Sequence, residues 1–517
     1  MEYFQLIEYA ALLKEGGRLT SAELMGQEET PVTYLTYDSH AACPGTLFIC
    51  KGATFKEEYL LDALSKGAAA YVSEKTYPSA KETPCLLVDD IRLAMPLLAE
   101  KFFHAPWEKL KITAFGGTKG KSTSTYFMKA IVDDYMKETG GRESAVSSSI
   151  DEYDGVTRRE SHITTPESVE LQEHMANAVK SGITFMEMEV SSQALKYNRV
   201  DHMRFDVSVF LNISEDHISP IEHQDFEDYL TSKMKMFALS DKTLVNLEAD
   251  CLERVLKAAQ EAGELYTFST KQEKADFYAY NIQPGPEKIE FRIRCKDFDE
   301  PFAITMRGFF NVENALAAAS AAHLLKIPTS CIRTGLLRAQ ASGRMEVFKS
   351  QDGLVTAIVD YAHNKLSFDK LFSSTREEYP EHDIVAVFGC PGYKAYIRRK
   401  DLGEISGAYC AKVYLCAEDP GKEPPQHISE EIAKYVAEKG CPYEIIEDRG
   451  VAIHKAVMEC RRPTVILITG KGRETRQKYG TTYAPCLSDV DYVERYLKEY
   501  DESPHHAYDY SGWKEEE

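Results

Sequence analysis

What the sequence lacks narrows the possibilities first. Its twelve cysteines form no CxxC pair. Thiols scattered over a long chain point to a reducing compartment, the cytoplasm, and exclude a disulfide framework or a zinc knuckle. No run approaches the ~18 apolar residues of a membrane span. The first stretch has no basic start followed by an unbroken apolar segment, so a secretory signal is not expected. It reads as an amphipathic helix instead. No internal repeat is evident. Positive charge is also short: 61 Lys and Arg stand against 82 Asp and Glu, a formal net charge of −21. Such a chain repels polyanions, which argues against nucleic acid as a partner. A small anionic nucleotide remains admissible where its site is locally basic.

At 517 residues the chain is too long for one core and suits two to four domains. Three regions stand out. Residues 1–107 hold short β-like runs at 46–49 and 69–72 between alanine-rich helical stretches, and Pro106 and Trp107 precede the next strand. Residues 108–341 open as strand, glycine loop and helix, with further strand runs at 183–190 and 205–211. Residues 342–517 carry strand runs at 354–359, 384–388, 412–416 and 464–469, then a polar tail from about 501 that ends in three glutamates. Strands alternating with helices imply an α/β fold of open, largely parallel sheets.

The glycine loop runs from Gly116 through Gly117, Thr118, Lys119, Gly120, Lys121 and Ser122 to Thr123. Its glycines let backbone N–H groups approach phosphate oxygens, and the following helix adds partial positive charge at its N-terminus. Lys121 suits the β- and γ-phosphates and Ser122 suits Mg²⁺. The spacing is one residue shorter than in the common phosphate loop. A chance glycine turn would lack the strand before it and the helix after it. Glu189 ends one strand run, and Asp216 and His217 follow the next. Ligands of open α/β sheets bind beyond the carboxyl ends of strands. A carboxylate and an imidazole there could hold Mg²⁺ near a γ-phosphate. Without the glycine loop they would read as polar strand caps.

In pattern the chain resembles the Mur ligases over nearly its whole length. The pieces stand in family order: GTKGKST at Gly117, TTP at Thr164, MEVSSQALKYNRV at Met188, NISEDH at Asn212, SKMKMF at Ser232, GFFNVENALAA at Gly308, SGRME at Ser342, VDYAH at Val359 and ITGKGRE at Ile468. Each is weak alone; together they are specific. MEVSSxAL, SGRME and GKGxE look like the tripeptide synthetase branch, and YDSHAACPGTLFICKG resembles its uridine-nucleotide segment, which usually reads DSR.

The resemblance implies three domains: a small N-terminal α/β domain for a uridine nucleotide, a central ATPase-like parallel sheet and a C-terminal Rossmann-like domain. It implies a monomeric, ATP-dependent, Mg²⁺-using ligase. The carboxylate of a UDP-muramoyl dipeptide would be phosphorylated and then attacked by the amino group of an amino acid. Lys233 stands where the family carries a carbamylated lysine, although Lys235 lies two residues away. Ser39, Thr164, Thr165, Ser191 and Arg199 match contacts to the uridine-linked substrate. Asn314, Arg344 and Asp360 match adenine, phosphate and ribose contacts. His363 reads as structural or nucleotide-flanking.

The third domain departs from the pattern. Where diaminopimelate enzymes carry GGDRD and DNPR, this chain has Lys394 at the first arginine and Gly421 at the second. A lysine cannot copy a guanidinium fork, and a glycine supplies no charge. Asn364 and Lys365 replace the usual Thr-Pro, and Glu215 stands where arginine is common. Gly470, Lys471 and Glu474 remain, and Glu418 and Asp419 add negative charge. A basic amino acid is therefore expected over meso-diaminopimelate, unless Arg398, Arg399 or Arg473 has taken over the carboxylate. A different acceptor in a side pathway, or a weakly active paralogue that binds nucleotide, are the competing readings.

Overall fold

The computed structural model describes residues 3–503 except 53–54, 162, 217, 219–221, 286 and 395. His217 and most of the polar tail lie outside the described residues.

The N-terminal sheet has five strands: Leu19–Glu23, Tyr34–Thr36, Thr46–Ile49, Ala70–Ser73 and Cys85–Val88. In space they run first, fifth, fourth, third, second, and only the first pairs antiparallel. Helix Leu6–Glu15 buries Leu6, Tyr9, Ala10 and Leu13 on one face. This 3.6-residue spacing is the amphipathic pattern visible in the sequence.

The central sheet has eleven strands. Lys111–Gly116 lies in its middle, paired in parallel with Phe185–Glu189 on one side and Phe205–Phe210 on the other. Four of the five residues in Phe185–Glu189 are buried, as expected for a strand covered on both faces. Helix Lys121–Thr139 packs closely on helix Thr329–Arg338. A Cβ at Gly335 would come within 2.4 Å of the Ile131 Cα, so that crossing requires glycine. Both ends of the sheet turn antiparallel, through 277–304 at one edge and 145–160 at the other. The expectation of a largely parallel sheet holds for the centre and misses these edges. Ile289–Arg294 alternates buried and exposed, a period-2 signal of a half-covered hairpin strand.

The third sheet has six strands. Val355–Asp360, Thr464–Thr469, Asp383–Phe388, Lys412–Leu415 and Tyr443–Ile445 are parallel, and Glu346–Lys349 forms an antiparallel edge. Separate apolar cores fill its two faces. The last helix, Asp489–Glu502, sends its first carboxylate inward. Asp489 accepts from Arg449 at 2.6 and 2.7 Å and from the Gly472 N–H at 3.0 Å. The three sheets are the three-domain α/β arrangement expected. No helix among the described residues is long and apolar enough to cross a membrane.

Candidate active site

The phosphate loop joins the central strand to the N-terminus of Lys121–Thr139. Two glycines are required there. Gly117 has φ 148° and Gly120 φ 87°, and a Cβ on Gly120 would meet the Asn314 Oδ1 at 2.4 Å. The segment after Phe205–Phe210 holds the loop. Asn212 Oδ1 accepts from the Lys119 N–H at 2.8 Å, and Asn212 Nδ2 donates to the Lys119 carbonyl at 3.0 Å. The Lys121 ammonium folds back on the loop, donating to the carbonyls of Gly117 (3.1 Å) and Thr118 (3.3 Å). Burial pulls its pKa below the usual lysine range, with Glu189 opposing. A cavity of about 250 Å³ lies over the loop, between the central and third domains, with Lys119, Lys121, Arg344 and Lys370 in its wall.

Glu189 is 1% exposed and makes no ion pair among the described residues. Its Oε1 accepts from the N–H and hydroxyl of Ser149 at 2.8 and 3.1 Å. Ser149 Oγ is 3.0 Å from Ser122 Oγ, and Arg344 donates to Ser122 Oγ at 3.3 Å. A buried carboxylate with no cation in direct contact among the described residues, beside two hydroxyls, is a donor set that fits a divalent ion. No cluster of three His, Cys, Asp or Glu that could hold a metal is present among the described residues, and His217 is not among them. Lys233 is 2% exposed, whereas Lys235 reaches the surface side of its turn. The Lys233 Nζ donates to the Gly117 carbonyl at 2.7 Å and lies 4.8 Å from the Tyr229 ring centre. Burial drives its pKa well below the ordinary value, assisted by Lys121, and so favours the neutral amine.

On the opposite wall, Asp360 ends its strand with both oxygens used: Oδ2 accepts from the Met345 N–H at 2.9 Å and Oδ1 from the Ala362 N–H at 2.8 Å. Burial raises its pKa, and the nearby Arg344 opposes this. Arg344 itself stacks 4.6 Å from the Tyr361 ring centre. Asn314 and Thr164 complete this cavity.

Thr165, Ser191 and Arg199 form a second group. Thr165 Oγ1 donates to the Glu189 carbonyl at 2.9 Å and accepts from the Ser191 N–H at 3.0 Å. Arg199 donates to the Thr165 carbonyl at 3.1 Å and pairs with Glu167 at 2.8 Å, leaving its buried Nε without a partner among the described residues. Glu167 also meets Lys51 of the N-terminal domain at 2.9 Å. Ser39 is not part of this group. It is buried in the N-terminal domain, where its carbonyl accepts from Lys66 at 2.8 Å.

The acceptor stretches of the third domain do come together, around Lys471. Its ammonium lies 3.0 Å from Asp419 Oδ1, 2.7 Å from Glu474 Oε2 and 2.7 Å from the Arg476 carbonyl. Glu474 Oε1 accepts from the Tyr361 hydroxyl at 2.7 Å, which links this group to the nucleotide wall. Gly470 has φ 105°, and a Cβ there would be 2.2 Å from Glu418 Oε2. Burial pushes the Glu418 carboxyl up to about 7, against the pull of Arg449 and Lys471. Lys394 is exposed. The three arginines that could have replaced the missing forks are already engaged: Arg398 with Asp216 (2.9 Å), Arg399 with Glu423 (2.8 Å) and Glu431 (2.5 Å), and Arg473 with Glu346 (2.6 Å). Sequence reasoning missed Ser149, which sits in a plain serine run, and gave Glu418 no site of its own.

Comparison with known proteins accounts for this geometry. A model of the Mur ligase middle domain matches residues 115–322, and one of the Mur ligase glutamate ligase domain matches residues 343–472. A UDP-N-acetylmuramyl-tripeptide synthetase of Lactobacillus acidophilus is 35% identical over 96% of this chain and 98% of its own. The chain belongs to the Mur ligase family. It is accordingly an ATP-dependent ligase. Among other Mur ligases, the UDP-N-acetylmuramoyl-L-alanyl-D-glutamate--L-lysine ligase of Enterococcus faecalis is 37% identical over 93% of this chain and 94% of its own. The Streptococcus agalactiae serotype Ia protein of the same name is 38% identical over 90% and 92%. A solved UDP-N-acetylmuramoyl-L-alanyl-D-glutamate--2,6-diaminopimelate ligase shares the fold at TM-score 0.66 and 22% identity, covering 97% of this chain and all of that one.

Proposed function

We propose that this Mur ligase joins a basic amino acid, L-lysine, to UDP-N-acetylmuramoyl-L-alanyl-D-glutamate in peptidoglycan precursor synthesis. It would act as a monomer, by the family pattern, in the cytoplasm, where its twelve free cysteines stay reduced. The γ-phosphoryl group of ATP passes to one of the two carboxylates of the D-glutamate, giving an acyl phosphate and ADP. The amine of the incoming amino acid attacks the acyl carbon, and inorganic phosphate leaves as the amide forms.

The loop N–H groups and Lys121 bind and orient the phosphates, and Lys121 spreads the charge that builds during transfer. Asn314 and Asp360 hold the nucleoside end, with Arg344 beside the phosphates. Ser39 takes the uridine end of the other substrate, while Thr164, Thr165, Ser191 and Arg199 take its peptide. Arg199 is suited to a carboxylate by its unpaired buried Nε. Ser122, Glu189 and, by the family pattern, His217 would hold Mg²⁺, whose charge offsets that of the phosphates. A neutral, buried Lys233 amine is the form that takes up CO₂, and a carbamate there would add an anionic oxygen donor.

The observation that carries the choice of amino acid is the charge of the acceptor region. Glu418, Asp419 and Glu474 gather there, and Lys471 is shared by two of them. Arg398, Arg399 and Arg473 already hold carboxylates of the protein, and burying a second substrate carboxylate unpaired costs several kcal/mol. A side chain ending in a bare ammonium fits, with Glu418 and Glu474 as its acceptors. L-Lysine is also the amino acid in the names of the Enterococcus and Streptococcus relatives. The test is phosphate release from ATP with UDP-N-acetylmuramoyl-L-alanyl-D-glutamate and each amino acid in turn. Release with lysine is expected. Release with none of them would leave a different acceptor in a side pathway.

A further inference from the structure

One seam of polar contacts between the central and third domains has no part in that scheme. Lys119 and Asp216 stand on the central side, and His363, Asn364 and Arg398 on the other. Lys119 Nζ lies 3.1 Å from His363 Nε2 and 3.7 Å from Asp216 Oδ2. Asp216 takes an ion pair from Arg398 at 2.9 Å and a hydrogen bond from the Asn364 amide. Asn364, one of the departures from the family pattern, thus supplies a contact across the seam while also capping helix Lys365–Glu378.

The other ring nitrogen fixes the His363 tautomer. Nδ1 lies 2.8 Å from the Tyr361 carbonyl oxygen, which can only accept. Nδ1 therefore carries the proton, and Nε2 presents a lone pair to the Lys119 Nζ, whose pKa burial pulls down to about 7 against the pull of Asp216, so that an arriving anion favours its ammonium form. Burial, with Lys119 and Arg398 nearby, keeps the imidazole neutral by holding its pKa well below the ordinary value. At its base, the Lys119 peptide is clamped on both sides by Asn212. Both Lys119 and His363 line the nucleotide cavity, alongside Lys121 and Arg344. An ammonium held in place beforehand has less rotamer freedom left to lose when an anion arrives.

We infer that His363 is a positioning residue for Lys119. Its Nε2 lone pair holds the Lys119 ammonium in the wall of the cavity, so that this cation faces the terminal phosphates of a nucleoside triphosphate only while the third domain is docked on the loop. The inference rests on the nucleotide reading of the cavity. The wild-type chain tests that reading by itself: ATP binding is measured by calorimetry without the UDP-linked substrate, so that no turnover intervenes, and absent binding would count against the cavity rather than the pair.

Lys119→Ala, His363→Ala and the double variant are then compared. Each single change is expected to weaken ATP binding about tenfold, and the double variant by no more than Lys119→Ala alone, because His363 acts on the nucleotide only through Lys119. His363→Gln keeps an oxygen that can accept and should stay within about threefold of wild type. Losses that multiply to about a hundredfold would overturn the proposal. So would an unaffected His363→Ala, or a His363→Gln as weak as His363→Ala. If His363→Ala proves unfolded by its thermal midpoint, the same cycle is run with Lys119→Met and His363→Phe. That pair keeps side-chain volume and removes the donor and the acceptor, and the same two outcomes decide.

Discussion

The nucleotide wall and the acceptor wall of this enzyme are built on opposite plans. The nucleotide side draws on one short contiguous loop, whose glycines, lysine and serine arrive already in order, and backbone N–H groups do much of the binding. The acceptor side draws on residues 418–419, 470–474 and 476 from separate loops, and its charges already have partners within the protein. The first can therefore be broken by one residue, whereas the second should shift by degrees.

The largest effect is expected on the nucleotide side. Lys121→Ala should lower kcat on the order of 10³-fold or more, with the urea midpoint unchanged, because the loop positions phosphate and carries little of the core. Wild-type turnover in that variant would end the comparison at once. Lys233→Ala comes next, with a loss of about 10²-fold, the scale for removing one preorganised charged contact in a transition state. Added acetate should restore part of it, and depletion of CO₂ should slow the wild type. A wild type indifferent to CO₂ would remove the carbamate from the scheme.

Smaller effects should appear on the acceptor side. Lysine should exceed meso-diaminopimelate in kcat/KM by about tenfold or more, equal to about 1.4 kcal/mol of transition-state discrimination. The reverse preference would show that the pocket holds a carboxylate after all. Glu418 offers a finer probe through its pKa, raised by burial to about 7. Below that pH it is neutral and a weak partner for an ammonium; above it, it is anionic. The kcat/KM for lysine should therefore rise through pH 7, and Glu418→Gln should flatten that rise without touching KM for ATP. Arg473→Ala should do least. Its ion pair with Glu346 is half-exposed on the arginine side, so stability should fall by under ~1 kcal/mol and lysine kcat/KM by less than about twofold.

The same contrast explains what could be read in advance. The phosphate loop was legible because its chemistry needs neighbours in sequence. Lys233 and Lys235 are two residues apart in SKMKMF, and only the helix geometry buries the first. The pattern of relatives, not the spacing, pointed to it. The parallel centre of the large sheet was legible as strand runs alternating with helices after the glycine loop; the antiparallel edges were not picked out, although Ile289–Arg294 carries a period-2 pattern. The state of Glu418 could not be read at all. It depends on Gly470, Lys471 and Arg449, which reach it only after three loops and a helix have packed. Asn364 stood out as a departure from the pattern, and its meaning required Asp216, 148 positions earlier.

Asp489 shows where such distance matters in practice. Its carboxylate joins the first turn of the final helix to Arg449 and to the Gly472 N–H, between Lys471 and Glu474. That helix resembles an outer layer that could be trimmed, yet it works as a keystone for the amino-acid loop. Shortening the protein to a residue before 489 should therefore free the amino-acid loop and, with Val490, Val493, Leu497 and Tyr500 gone, uncover the sheet beneath in the same stroke. A label attached beyond residue 503 leaves the keystone seated.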